Sequence, residues 1–70
     1  MPKVVDTEQK PSIVHGKTYW IETFRIVDSD IDPNYGFSIE EEGLTLTHYK
    51  SREKAYNDAV SILEKTRSPS

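Results

Sequence analysis

Seventy residues with 34% hydrophobic content, a mean hydropathy of -0.70 and a net charge of -3 allow one small domain with a thin core. The absence of cysteine excludes disulfides and cysteine-ligated zinc, and with two histidines any metal site would rest mainly on carboxylates. No apolar run approaches the roughly 20 residues needed to span a bilayer, and the polar N-terminus lacks the apolar stretch of a secretion signal, so a soluble cytoplasmic protein without membrane attachment or cofactor is expected.

Residues 1–12, MPKVVDTEQKPS, contain two prolines and no sustained period, and predict a mobile tail ahead of a single domain over residues 13–67. SIVHG, residues 12–16, has the composition of a short extra N-terminal edge strand. Residues 17–28, KTYWIETFRIVD, are rich in β-branched and aromatic side chains and predict a strand. That strand is apolar on both faces. Trp20, Phe24 and Ile26 lie on one side with Glu22, and Tyr19, Ile21 and Val27 lie on the other with Thr23 and Arg25. Only one set can meet a covering helix. The other is left as an exposed apolar patch unless a β-bulge or the N-terminal segment hides it.

The run DSDIDPN then predicts a turn, with Pro33 and Asn34 as its strongest breakers. Asp28, Asp30 and Asp32 have the spacing that opens a calcium loop, but Pro33 and Ile39 stand where glycine and glutamate are needed, so an acidic turn is expected instead.

Two strands follow, Tyr35 to Ile39 and Leu44 to Tyr49. Tyr35, Phe37 and Ile39 share a face, as do Leu44, Leu46 and His48, with Thr45, Thr47 and Tyr49 opposite. Parity requires an even loop between them. The four-residue loop EEEG leaves the positive φ to Gly43 and pairs Ile39 with Leu44 and Phe37 with Leu46. As a carboxylate pair for acid–base chemistry, Glu40, Glu41 and Glu42 are poorly placed. The other acidic cluster falls at the opposite end of the sheet, about 17 Å away for five strand residues, against the roughly 5–9.5 Å of a glycosidase pair.

SREKAYNDAVSILEKT carries a helix signal. Ser51 suits an N-cap, and Ala55, Tyr56, Ala59, Val60, Ile62 and Leu63 recur at spacings of three and four. Arg52, Asn57, Asp58, Ser61 and Glu64 are expected to point away from the sheet, and residues 68–70 to fray. The fold class is therefore α+β: a three-stranded antiparallel meander, β-β-β-α, with one amphipathic helix over Tyr35, Phe37, Ile39, Leu44 and Leu46.

This order, with SREKAYNDA opening a helix directly after the sheet, is similar to the arm-binding domains of tyrosine integrases, which carry S/T-x-x-x-A at the same point. The resemblance covers residues 17–65 and implies a DNA-binding module that reads its site with the sheet. A reading sheet projects lysine and arginine, whereas these strands offer Arg25, with Lys17 at the margin. Residues 17–50 hold seven acidic groups against three basic ones, which disfavours phosphate binding.

His15 and His48 have no nucleophile in a recognisable arrangement, and the three glycines form no phosphate-cradling loop. The leading expectation is a small, acidic, non-enzymatic interaction module, a regulatory or inhibitory subunit. It would meet a protein partner or a second copy of itself through the open sheet face and the edge of the residue 17–28 strand. Trp20, Phe24 and Tyr49 are the expected contacts, with Tyr19 and Ile21 as substitutes if the strand faces the other way. Glu40, Glu41 and Glu42 would steer a basic surface, in the sharpest version as a mimic of nucleic acid. DNA binding is the alternative.

Overall fold

The computed structural model describes residues 2–27, 30 and 33–66. Four strands, β1 (Lys3–Val14), β2 (Lys17–Val27), β3 (Tyr35–Ile39) and β4 (Leu44–Tyr49), form an antiparallel meander in the order β1-β2-β3-β4, and one helix, α1 (Arg52–Thr66), follows. The class is α+β, with one strand more than the three expected. Residues 3–12, read from sequence as part of a tail, extend the short edge strand expected over residues 12–16 into a strand of 12 residues.

β1 is held by pairing along its length, from Lys3 opposite Val27 to Val14 opposite Lys17. His15 and Gly16 link it to β2, both at positive φ (51° and 79°), which is the geometry of a type I′ hairpin turn. A bulge between Val5 and Glu8, with Asp6 at φ 51°, shifts the register opposite Phe24. Because β1 takes one side of β2 and β3 pairs with the other from Ile21 to Arg25, the edge expected of residues 17–28 is covered over that stretch and stays open at residues 17–20.

β3 and β4 follow the expected register, with Ile39 opposite Leu44 and Phe37 opposite Leu46. The four-residue loop is a 3-10 turn over Glu40–Glu42, closed by Gly43 at φ 60°, whose N–H donates to the Glu40 carbonyl at 3.1 Å. Beyond Leu46 the register slips by one before Tyr35 meets Tyr49. His48 supplies the extra residue at φ 76°, and its N–H donates to the Asn34 side-chain oxygen at 2.9 Å. The bulge turns Tyr49 onto the helix face, correcting the alternation expected for β4. There its ring packs on Phe37 at 5.8 Å between centroids. The acidic run after β2 falls largely outside the described residues, since Asp28 and Asp32 are not among them; the same holds for residues 68–70.

Ser51 caps α1 as expected, its hydroxyl accepting the Lys54 N–H at 3.1 Å. Ala55, Ala59 and Leu63 are fully buried over Tyr19, Ile21, Phe37 and Ile39, with Val14 completing the core. Two alanines one turn apart let the helix backbone approach the sheet closely. Burying Ile21, Phe37, Ile39 and Leu63 contributes about 1.5–3 kcal/mol each. Leu46, expected beneath the helix, lies on edge strand β4 and stays 39% exposed.

Arg52 departs from the face expected of it. Instead of pointing away, its guanidinium reaches the β1 bulge: Nε pairs with Glu8 at 2.9 Å, and Nη2 donates to the Asp6 carbonyl at 2.7 Å. Nη1 donates to the Thr23 carbonyl and hydroxyl at 3.2 and 3.0 Å. A cation in the first turn opposes the helix dipole by about 0.3–1 kcal/mol, and these bonds outweigh that. Farther along, the Tyr56 hydroxyl donates to the Pro11 carbonyl at 3.3 Å, and His15 Nε2 lies 3.1 Å from the Glu64 carbonyl oxygen. The helix thus runs beside β1, in the same direction.

Candidate functional site

The helix settles which face of β2 is buried. Tyr19 and Ile21 lie in the core beneath α1, 1% and 0% exposed, so these substitute contact residues are not on a surface. Trp20, Glu22, Phe24 and Ile26 take the face with no helix over it.

Of that set, Phe24 is nevertheless buried, because it sits opposite Gly36 on β3 and its ring fills the space where a side chain would be. Tyr49, the third expected contact, is on the helix side, where its hydroxyl donates to the Asp58 carboxylate. Burial, the hydrogen bond to Asp58 and the charge of Asp58, in that order, push its pKa up to about 12. It is half-buried on the side opposite Trp20.

Trp20 is different: 54% of it is exposed. Strand length explains why. β3 pairs with β2 only from Ile21 onward, so residues 17–20 and their β1 partners project as a two-stranded arm, by about 13 Å at 3.3 Å per residue. On one side of this arm Val14 and Tyr19 pack against α1; on the other, Trp20 stands opposite Pro11, and Ile13, 76% exposed, lies opposite Thr18. Pro11 and Ile13 were not among the expected contacts: Pro11 fell in the segment read as a tail, and Ile13 in the short edge strand expected over residues 12–16. The His-Gly pair between two apolar stretches was the available signal of a hairpin.

Between this arm and the β3–β4 turn lies an open groove of about 950 Å³. Trp20 lines it on the arm side, Glu40, Glu41 and Gly43 on the turn side, and Gln9, Glu22, Ser38 and Thr45 also border it. Its polar groups are partly ordered: Gln9 Nε2 donates to Glu22 at 3.2 Å, and the Thr45 hydroxyl donates to that of Ser38 at 3.1 Å. Lys17 ties the arm to the turn through Glu41 at 3.3 Å. Of the three turn glutamates, Glu40 and Glu41 border the groove; Glu42 does not.

Among the described residues no group of three or more histidine, aspartate or glutamate side chains is arranged to hold a metal ion, and no helix is long and apolar enough to cross a membrane. Compared with known protein families, curated proteins and solved structures, the chain matches none.

Proposed function

We propose that this protein is a small, non-enzymatic interaction module that docks a protein partner through the open sheet face around Trp20, acting as a regulatory or inhibitory subunit. The observation that carries this reading is the exposure of Trp20 on the β1–β2 arm, where it pairs with Pro11 and lies beside the exposed Ile13. A large aromatic left in water next to a second apolar side chain marks a contact surface, since aromatics dominate interface energetics. Holding it on a strand also lowers the ordering cost of binding.

The two histidines support a non-catalytic reading. His15 meets the Glu64 carbonyl oxygen, and His48 occupies a bulge whose N–H is bonded to Asn34. DNA binding through the sheet, the alternative, finds little support: among the described residues no lysine or arginine lines the groove on the open face, whereas Glu22, Glu40 and Glu41 do. The cytoplasm is the location proposed.

The test is affinity capture from the native source with the wild-type chain and with Trp20→Glu. A protein retained by the first and lost by the second supports the reading. Identical captured sets would contradict it.

A further inference from the structure

Once Trp20's face is taken as the contact surface, three features of the groove specify what enters it. The first is the exposed indole on the arm side. The second is a border of carboxylates, of which neither Glu22 nor Glu40 has a lysine or arginine partner among the described residues; Glu41 pairs with Lys17. The third is the small polar pair Ser38 and Thr45 beside them, which leaves the groove open.

An apolar side chain entering here would strip water from carboxylates and return no hydrogen bond. An anionic one would be repelled. A second copy of this chain, docked face to face about a two-fold axis through the groove, would bring Glu22 and Glu40 against the same residues of its partner, and like charges in contact are unfavourable. A cation meets the opposite situation. It gains the face of the indole and charge-assisted bonds to carboxylates together. Among peptide cations, guanidinium fits best, because its flat face stacks on an aromatic ring while its edge bonds a carboxylate through two N–H groups.

We propose that the groove between the β1–β2 arm and the β3–β4 turn receives an arginine side chain from an exposed segment of the partner protein, stacked on Trp20 and paired with Glu22 and Glu40. The residues flanking that arginine rest on Pro11 and Ile13, the apolar outer side of the arm.

Trp20 is the single tryptophan, so its fluorescence reports the groove directly. The probes are blocked tri-arginine, tri-lysine and tri-glutamate peptides, titrated into the full chain at low and at physiological salt. Tri-arginine is expected to give a saturable change, tri-lysine a weaker one and tri-glutamate none. Glu22→Gln and Glu40→Gln should each weaken tri-arginine binding about two- to fivefold, the range of one partly exposed ion pair. Glu53→Gln, an exposed carboxylate on α1 outside the groove, should leave it unchanged.

Equal loss in Glu53→Gln would show attraction by net charge alone and overturn the proposal, as would the absence of saturable binding. Equal affinity for tri-lysine would overturn the assignment of arginine. If peptide binding fails while Trp20→Glu still abolishes capture of a native partner, the contact surface stands and the arginine site falls. If both fail, both readings fall.

Discussion

Phe24 lies against Gly36 across the β2–β3 pair so closely that a Cβ at position 36 would come within 2.8 Å of its ring and 2.7 Å of the Leu46 carbonyl oxygen. The glycine is therefore required by its neighbours, not by its own backbone angles. Gly36→Ala forces both Phe24 and the β4 backbone to move, and should destabilise the domain by about 1–3 kcal/mol, the usual cost of overpacking. Urea unfolding checks this. An unchanged midpoint would mean that Phe24 swings outward without loss, leaving the open face a second exposed aromatic.

Arg52 and the β1 bulge make a second structural prediction. Arg52→Ala removes the ion pair with Glu8 and three hydrogen bonds, two of them to backbone carbonyls. The expected destabilisation is about 2 kcal/mol, given that hydrogen bonds to charged groups contribute roughly 1.5–3 kcal/mol when buried and less when part-exposed. Arg52→Lys should recover less than half of it, since one ammonium cannot reach a bulge carbonyl, Thr23 and Glu8 together. Glu8→Gln should cost under about 1 kcal/mol, because the Glu8 side chain is 54% exposed. Hydrogen exchange at the β1 amides of the alanine variant would show whether the bulge depends on this clamp.

These two contacts show which parts of the molecule were legible from sequence. The β3–β4 hairpin was, down to its register, because parity and Gly43 leave one four-residue loop. The helix was, because period and the Ser51 cap agree. β1 was only at its C-terminal end, in the short strand expected over residues 12–16: an exposed edge needs no apolar alternation, and Asp6 and Pro11 interrupt what pattern there is before it. Tyr49 took the other face because one bulge residue, His48, at a positive φ that sequence does not announce, reverses the parity of everything after it. Among the expected contact residues, exposure could not be read from residue type. Tyr19 and Ile21 are buried by the helix and Phe24 by a glycine, while Trp20 is left out because β3 stops short of it.

Alkaline pH tests the Tyr49–Asp58 contact. The folded state holds the Tyr49 hydroxyl neutral, raising its pKa from 10.0 to about 12. The unfolded chain therefore loses this proton first, so stability from the contact is complete below pH 10 and is lost as pH rises toward 12. Tyr49→Phe lacks the group, and its deficit relative to wild type should shrink between pH 10 and pH 12. Urea midpoints of the two proteins across that range measure it; a constant difference would mean that Tyr49 ionises alike in both states.

Trp20 carries the last prediction, in which stability and binding must separate. Half-exposed on an arm whose other side holds the core contacts, it contributes little to folding. Trp20→Ala should therefore change unfolding free energy by less than about 1 kcal/mol, as surface substitutions do. Acrylamide should quench the wild-type fluorescence strongly in the folded protein, and unfolding should increase that quenching only slightly. If Trp20→Ala proves as damaging as Gly36→Ala, the indole is packed, and its exposure can no longer be assigned to a partner. If stability holds while partner capture is lost, the side chain is retained on this strand for binding.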